Sequence, residues 1–150
     1  MPDENLALLD FRPFEVLIAD DNSGDFVLLR ESFLEAGVPC HLHYVKNGRE
    51  AIRFLERHNR EANTLALVIL DARMPHVSGL EVLKYMQSQP NLSEIPVVLI
   101  SGLFGPGECE TAACARAICL EKSMTLDGWG ELAAKAYAFA SSGRKLWAAA

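Results

Sequence analysis

Four short apolar runs, each stopped by a polar residue, constrain the fold of this chain more than any other feature. They span residues 16–19, 67–70, 97–100 and 117–120. A short, unbroken run that is rich in branched apolar residues indicates a strand buried on both faces, as in a parallel sheet. Open α/β sheets place their chemistry at the carboxyl ends of such strands. We therefore expect a buried sheet with its functional groups gathered at one end.

Polar helical segments alternate with these strands. A fifth strand is predicted over 41–45, and helices are predicted over 23–36, 49–58, 80–89, 108–116 and 126–141. Five strand–helix alternations favour a five-stranded parallel sheet with helices on both faces, joined by right-handed crossovers. The 150 residues suit one domain. We divide the chain into an N-terminal arm (1–13), the domain (14–142) and a C-terminal tail (143–150).

Helical spacing predicts which side chains pack on the sheet. In the first helix Leu29, Phe33 and Ala36 fall on one face. Gly143 is expected to end the last helix. The buried stripe of that helix consists of Trp129, Leu132, Ala133, Ala136, Tyr137 and Ala140.

Composition excludes several classes of function. A net charge of −6 argues against binding to nucleic-acid phosphates, which needs a basic face. No apolar run approaches the roughly 20 residues of a membrane span, and the acidic N-terminus lacks the basic start of a secretory signal. A cytoplasmic protein with reduced cysteines is therefore expected. The cysteine spacing does not predict a zinc site, and 40–45 alternates as a strand with one histidine face.

The residues that end the strands form a recognisable set. They are Asp20 and Asp21, Asp71, Ser101, and Lys122. Together with Met74, Pro75 and Gly79 after Asp71, this set resembles the receiver domain of two-component response regulators over residues 15–141. The resemblance implies a flavodoxin-like (βα)5 fold, a doubly wound parallel sheet with strand order 2-1-3-4-5. It also implies that a histidine kinase phosphorylates one aspartate.

The residue chemistry agrees with this implication. Asp71 would be the nucleophile that takes the phosphoryl group as an acyl phosphate. Carboxylate oxygens suit Mg²⁺, so Asp21, Asp71 and the backbone carbonyl of Arg73 are the expected ligands. By resemblance, Asp20 acts on the ion mainly through a bound water. Three clustered carboxylates repel one another, so at least one pKa should be raised.

Two further groups complete the expected site. Lys122 supplies a balancing cation that can pair with phosphoryl oxygens, and Ser101 can donate its hydroxyl to one of them. Met74 is expected to pack in the core. The chain is thus predicted to be a phosphoacceptor that assists its own phosphorylation and dephosphorylation, not an enzyme acting on free substrates.

Two positions depart from the commonest receivers. Ser123 replaces a proline that usually follows the lysine through a cis bond, and the sequence does not decide the isomer here. Cys119 replaces an aromatic residue whose rotamer usually changes with phosphorylation. This substitution argues against the usual aromatic switch, and Phe104 is a candidate substitute.

The chain is similar to receivers that stand alone, and its helix-one start and Lys122-Ser123 pair resemble those associated with bacterial phytochromes. This resemblance implies a phytochrome-type histidine kinase as partner. It also implies a homodimer built with the last strand, the last helix and the tail. Phe139, off the buried stripe, and Leu146 and Trp147 in the tail are candidate interface anchors. A tail that folds back on its own domain, or residues appended to the natural chain, would explain Trp147 equally well.

Two other classes stay open. A degenerate receiver that binds partners constitutively would explain Ser123 and Cys119. A phosphohydrolase with an aspartyl-phosphate intermediate usually has a second acid two residues after its nucleophile, and Arg73 occupies that place here.

Overall fold

A computed structural model of the chain describes residues 14–60 and 65–149, with side chains described except at 59, 60 and 143–149. The predicted N-terminal arm lies outside the described residues. Within these described ranges, five strands alternate with five helices. In chain order these are β1 Phe14–Ala19, α1 Ser23–Glu35, β2 Cys40–Val45, α2 Gly48–Arg60, β3 Leu65–Asp71, α3 Gly79–Gln87, β4 Val97–Ser101, α4 Glu108–Cys114, β5 Ile118–Glu121 and α5 Leu126–Ala149.

The strands form one sheet in the order β2-β1-β3-β4-β5, and every pair in it is parallel. This confirms the predicted flavodoxin-like topology. The chain crosses from one side of β1 to the other between β2 and β3. A parallel sheet opens a crevice at such a switch point, beyond the carboxyl ends of its strands.

Two apolar cores cover the faces of the sheet. On one face, α1 and α5 pack over Val16 and Ile18 of β1. On the other, α2, α3 and α4 pack over Leu17 and Ala19. All seven residues of β3 are buried. Because this central strand is covered on both faces, Asp71 at its end is largely buried from solvent.

Side-chain caps fix where two helices begin. The Asn22 side chain accepts hydrogen bonds from the backbone N–H groups of Gly24 and Asp25 at the start of α1. The Ser78 side chain does the same for Glu81 at the start of α3. Both helices therefore begin just after loops that follow strand ends, which orients their first turns toward the crevice.

The predicted boundaries agree within two residues except in the last helix. The prediction that Gly143 ends this helix is wrong, because α5 continues to Ala149. The residues that follow Gly143 are mostly good helix formers, and they offset the roughly 1 kcal/mol cost of an internal glycine.

Three side-chain placements also differ from expectation. Ala36 follows the end of α1 and is exposed, whereas Leu29 and Phe33 are buried as predicted. Tyr137 is 36% exposed and packs edge-on against Phe14 at the margin of the core. Phe139, expected off the stripe, is partly buried against the α1–α5 core. Among the described residues, no helix is long and apolar enough to span a membrane.

Candidate functional site

The carboxyl ends of β1, β3 and β5 bring three of the predicted residues together. Asp20 follows β1, Asp71 ends β3 and Lys122 follows β5. The ammonium nitrogen of Lys122 lies 3.2 Å from Asp20 Oδ2 and 3.2 Å from Asp71 Oδ2. Both carboxylates are buried, so water screens these ion pairs only weakly. One ammonium therefore balances two carboxylates that would otherwise repel each other.

Asp25 belongs to this cluster and was missed in the sequence. Lys122 Nζ donates a hydrogen bond of 2.7 Å to Asp25 Oδ2, the shortest of its three carboxylate contacts. Asp25 lies in the first turn of α1, where the helix dipole also favours an acid. The available signal was its place in the first turn of the predicted helix, five residues after Asp20.

Burial and charge shift two pKa values in this cluster. Burial raises the pKa of Asp20 to about 7, opposed by the Asn22 backbone hydrogen bond and reinforced by the charge of Asp71. This agrees with the prediction of a raised carboxyl pKa. Burial lowers the pKa of Lys122, but the hydrogen bond to Asp25 and the neighbouring carboxylates outweigh it, so the net shift is upward. Lys122 is therefore a cation at neutral pH, and Asp20 keeps its proton to a higher pH than an ordinary carboxyl group does.

Local contacts fix the carboxylate of Asp71. Its Oδ1 accepts a 3.1 Å hydrogen bond from the backbone N–H of Arg73, while Oδ2 faces Lys122. Gly79 allows α3 to begin directly against this strand end. A Cβ at Gly79 would lie 2.4 Å from the carbonyl oxygen of Asp71, so a larger residue would push the two segments apart. The loop thus holds the carboxylate in one orientation.

Ser101 is at the expected strand end, but its hydroxyl bonds within its own loop. Its Oγ donates to the carbonyl oxygen of Leu103 at 2.9 Å and accepts from the Leu103 N–H at 3.3 Å. The guanidinium of Arg73 donates to the same carbonyl at 3.0 Å and to Glu108 Oε1 at 2.8 Å. The structure therefore places Ser101 on the strand next to Asp71 with its proton directed at Leu103.

The acidic residues fit a hard divalent cation. Asp20, Asp21 and Asp71 each offer a carboxylate oxygen, and these oxygens lie within 4.8 Å of one another. Asp21 is exposed, which leaves the cluster open to solvent on one side. Asp20 Oδ2 is buried and has no hydrogen-bond partner among the described residues, although the Lys122 ammonium is near. An all-oxygen donor set with one under-satisfied buried oxygen suits Mg²⁺ and related ions.

The two unusual positions have ordinary packing. No described peptide bond is cis, so the bond between Lys122 and Ser123 is trans. Ser123 Oγ accepts a 2.9 Å hydrogen bond from the Thr125 backbone N–H just before α5.

Cys119 and Phe104 are both partly buried against the α2–α4 core. Met74 is buried in the same core, as predicted. Burial raises the pKa of the Cys119 thiol to about 12, and its contact with Cys109 adds to the rise.

Comparison with known proteins identifies the same kind of domain. A family model described as "Response regulator receiver domain" matches residues 16–123. The probable methanogenesis regulatory protein FilR2 of Methanothrix harundinacea is 31% identical over 90 residues. That match covers 59% of this chain and 58% of the relative, so the chain spans less than two thirds of that protein.

Two solved structures extend the likeness to three dimensions. The phosphorylated cyanobacterial phytochrome response regulator RcpA is 26% identical, with a TM-score of 0.72 over 81% of this chain and 89% of that one. The Mn²⁺-bound response regulator Rcp1 is 25% identical, with a TM-score of 0.70 and the same coverage. The family match spans the strand ends that carry Asp20, Asp71, Ser101 and Lys122. This chain is therefore a member of the response regulator receiver domain family.

Proposed function

We propose that this receiver accepts a phosphoryl group on Asp71 from a histidine kinase of a two-component phosphorelay, in a Mg²⁺-dependent reaction. The observation that carries the proposal is the placement of Asp71 at the end of a fully buried strand, in contact with the ammonium of Lys122. A buried carboxylate beside a cation is suited to hold added negative charge. Family membership supports phosphoryl acceptance in general, and the position of Asp71 beside Lys122 supports its choice as the acceptor.

In the proposed transfer, a carboxylate oxygen of Asp71 attacks the phosphorus of a phosphohistidine. The new O–P bond forms as the P–N bond breaks, and the imidazole leaves with the electron pair and takes up a proton. Lys122 and the Arg73 backbone N–H hold the carboxylate while this happens. Positioning and charge neutralisation supply most of the rate in this type of chemistry.

Mg²⁺ would be held by Asp20, Asp21, Asp71 and the Arg73 carbonyl, where it would neutralise charge on the incoming group. Ser101 would exchange its bond to the Leu103 carbonyl for one to a phosphoryl oxygen. That exchange would also leave the Arg73 guanidinium as a remaining donor to Leu103, so the loop before α4 would respond to phosphorylation. The protein would then act as a phosphorylation switch.

The test is phosphorylation by acetyl phosphate with Mg²⁺, followed by mass spectrometry of the intact chain and of its peptides. We expect one phosphoryl group on Asp71, none in Asp71→Asn, and none in a chelator. Asp127→Asn is the matched control, since Asp127 is an exposed acid at the start of α5. A label that persists in Asp71→Asn would refute the acceptor assignment.

A phytochrome-type kinase, a homodimer and a cytoplasmic location complete the proposal. The likeness to RcpA, described as a phytochrome response regulator, supports the first. The dimer is expected through β5 and through α5, which includes residues 143–149 of the predicted tail. Met124, just before α5, and Leu126, at its start, are exposed. Sedimentation with and without beryllofluoride, which mimics the phosphoryl group, measures the assembly.

If acetyl phosphate did not phosphorylate the wild type, and partner binding stayed constant, the degenerate receiver would be favoured instead.

A further inference from the structure

A second cluster of metal-ligating side chains lies near the opposite end of β1. Glu15 pairs in register with His41 of β2, and His43 lies two residues further along β2. Residues two apart on a strand share a face, so the carboxylate and both imidazoles are on the side of the sheet covered by α2. Glu15 precedes Asp20 by five residues, which places this cluster about 16 Å from the acidic site.

The three side chains are in direct contact. His41 Nδ1 lies 3.1 Å from Glu15 Oε1, and His43 Nε2 lies 2.5 Å from Glu15 Oε2. Potential ligand atoms from all three residues lie within 4.8 Å of one another. Burial raises the pKa of Glu15, but its hydrogen bonds to the two histidines outweigh this, so the net pKa is below its usual value. Glu15 is therefore a ready anionic ligand at neutral pH.

Aromatic packing orients one side of the cluster and leaves the other side open. The ring of His43 lies 5.0 Å from that of Phe54 and 6.0 Å from that of His58, both on α2. The Glu15 and His43 side chains are only 19% and 26% exposed, whereas His41 is 61% exposed. An ion could therefore enter past His41 and keep solvent ligands on that side.

We propose that Glu15, His41 and His43 form a site for a borderline divalent transition-metal ion such as Zn²⁺. Zinc–nitrogen and zinc–oxygen bonds near 2.1 Å in a tetrahedral site put neighbouring ligand atoms about 3.4 Å apart. The present nitrogen–oxygen separations of 3.1 and 2.5 Å are shorter than this, so the imidazoles must move away from the carboxylate to admit the ion, His43 more than His41. Two imidazoles and a carboxylate favour this class of metal over Mg²⁺, which prefers oxygen ligands.

The proposed ion would join the edge strand β2 to its neighbour β1. Among the residues that the structure describes, strand β2 pairs with β1 alone, and two of the three ligands come from β2. The simpler account is a hydrogen-bonded group in which protons occupy the positions assigned to the metal. The two accounts differ in whether the ring nitrogens bind added Zn²⁺.

The test is a calorimetric titration of the full chain with ZnCl₂ in excess Mg²⁺, which keeps the acidic site occupied. Nitrogen-15 spectra of labelled histidines report which ring nitrogens bind the ion, and so separate this site from the exposed cysteines. We expect one tight equivalent that shifts Nδ1 of His41 and Nε2 of His43. Affinity should fall in His43→Gln by more than the roughly 10- to 100-fold that follows loss of an outer-shell partner.

His41→Gln is the second variant, because this exposed side chain can be replaced with little risk to folding. His76→Asn is the matched control, since His76 is an exposed histidine on the β3–α3 loop with a φ of 67°, which Asn tolerates. The control should bind Zn²⁺ as the wild type does. The proposal would be overturned if both cluster variants bound Zn²⁺ as tightly as the wild type. It would also be overturned if Zn²⁺ shifted only the ring nitrogens of other histidines. The Asp71 assignment does not depend on this result.

Discussion

The two ends of β1 carry charged clusters of contrasting construction. At the carboxyl end, Asp20 and Asp71 are buried around the ammonium of Lys122, and the donor atoms for a metal are all oxygens. Near the amino end, Glu15 lies between two imidazoles, one of them largely exposed. The first cluster holds more carboxylates than cations, and two of these carboxylates are buried. The second has one carboxylate, which contacts two partly exposed imidazoles near the edge of the sheet.

This contrast indicates how each cluster relates to stability. Burying several carboxylates near one another costs free energy in the metal-free protein, and an added cation relieves that cost. A Glu–His group that is partly exposed costs less free energy to bury and contributes less to stability.

Removing the cation from the carboxyl end should have the largest effect. In Lys122→Met, three carboxylates lose their shared ammonium, while the aliphatic stem of the side chain is kept. Loss of one partner from a buried ion pair typically costs about 3–5 kcal/mol. We expect a decrease of that size in the free energy of unfolding, measured by urea titration in a chelator at pH 8.

Lys135→Met is the matched control, because Lys135 is exposed on α5. Its unfolding free energy should stay close to that of the wild type. If both variants lose the same amount, the buried carboxylates do not depend on Lys122. Saturating Mg²⁺ should restore part of the loss in Lys122→Met, since a second cation source then occupies the site.

A methyl group at Gly79 should disturb the carboxyl end through packing alone. The new Cβ would lie 2.4 Å from the Asp71 carbonyl oxygen, so α3 and the strand end must separate. Gly79→Ala should therefore lose about 1–3 kcal/mol, as overpacked sites do, and should bind Mg²⁺ more weakly. Gly130→Ala is the control: nothing lies within 4 Å of its Cβ, and it should be neutral or stabilised. Equal behaviour of the two variants would contradict the close approach.

The fold was predictable because its signals are local and redundant. Each buried strand is a continuous apolar run, and each strand end carries a polar residue, so Asp20, Asp71, Ser101 and Lys122 could be placed before the topology was known. The length of α5 was not predictable in this way. Gly143 is a helix-ending signal that neighbouring residues override.

The contacts that were missed depend on the three-dimensional arrangement. Asp25 and Lys122 are 97 residues apart, and Glu15 and His43 are 28 residues apart. Such pairs depend on strand register and on the direction of a helix start, which no single segment encodes. The hydroxyl of Ser101 illustrates a further limit, because its partner Leu103 is set by the conformation of the following loop.

The two ends should also respond to pH in opposite directions. The folded pKa of Asp20 is raised to about 7, so its contribution is fully present below the unfolded pKa and is lost as pH rises toward 7. The folded pKa of Glu15 is lowered, so its contribution is present above the unfolded pKa and is lost as pH falls through the folded value. In a chelator, one group changes stability by at most about 1.4 kcal/mol per pH unit.

Variants separate the contributions of Asp20 and Glu15 to the pH dependence of the unfolding free energy. Asp20→Asn should flatten the decline in unfolding free energy between about pH 4 and 7, and Glu15→Gln should flatten the decline below about pH 4.3. Urea titrations at a series of pH values measure both. A wild-type profile that Asp20→Asn leaves unchanged would show that burial of this carboxyl carries no cost.

The smallest effect is expected from neutralising the amino-end cluster without metal. Glu15→Gln keeps the shape of the side chain and removes the charge that faces His41 and His43. Because both contacts are partly exposed, we expect a loss of only about 0.5–1 kcal/mol at pH 7.5 in a chelator, measured by urea titration. Glu131→Gln, at an exposed acid on α5, is the control and should lose nothing. A loss as large as that of Lys122→Met would contradict this prediction, because it would mean that the partly exposed contacts of Glu15 stabilise the fold as strongly as the buried ion pairs of Lys122.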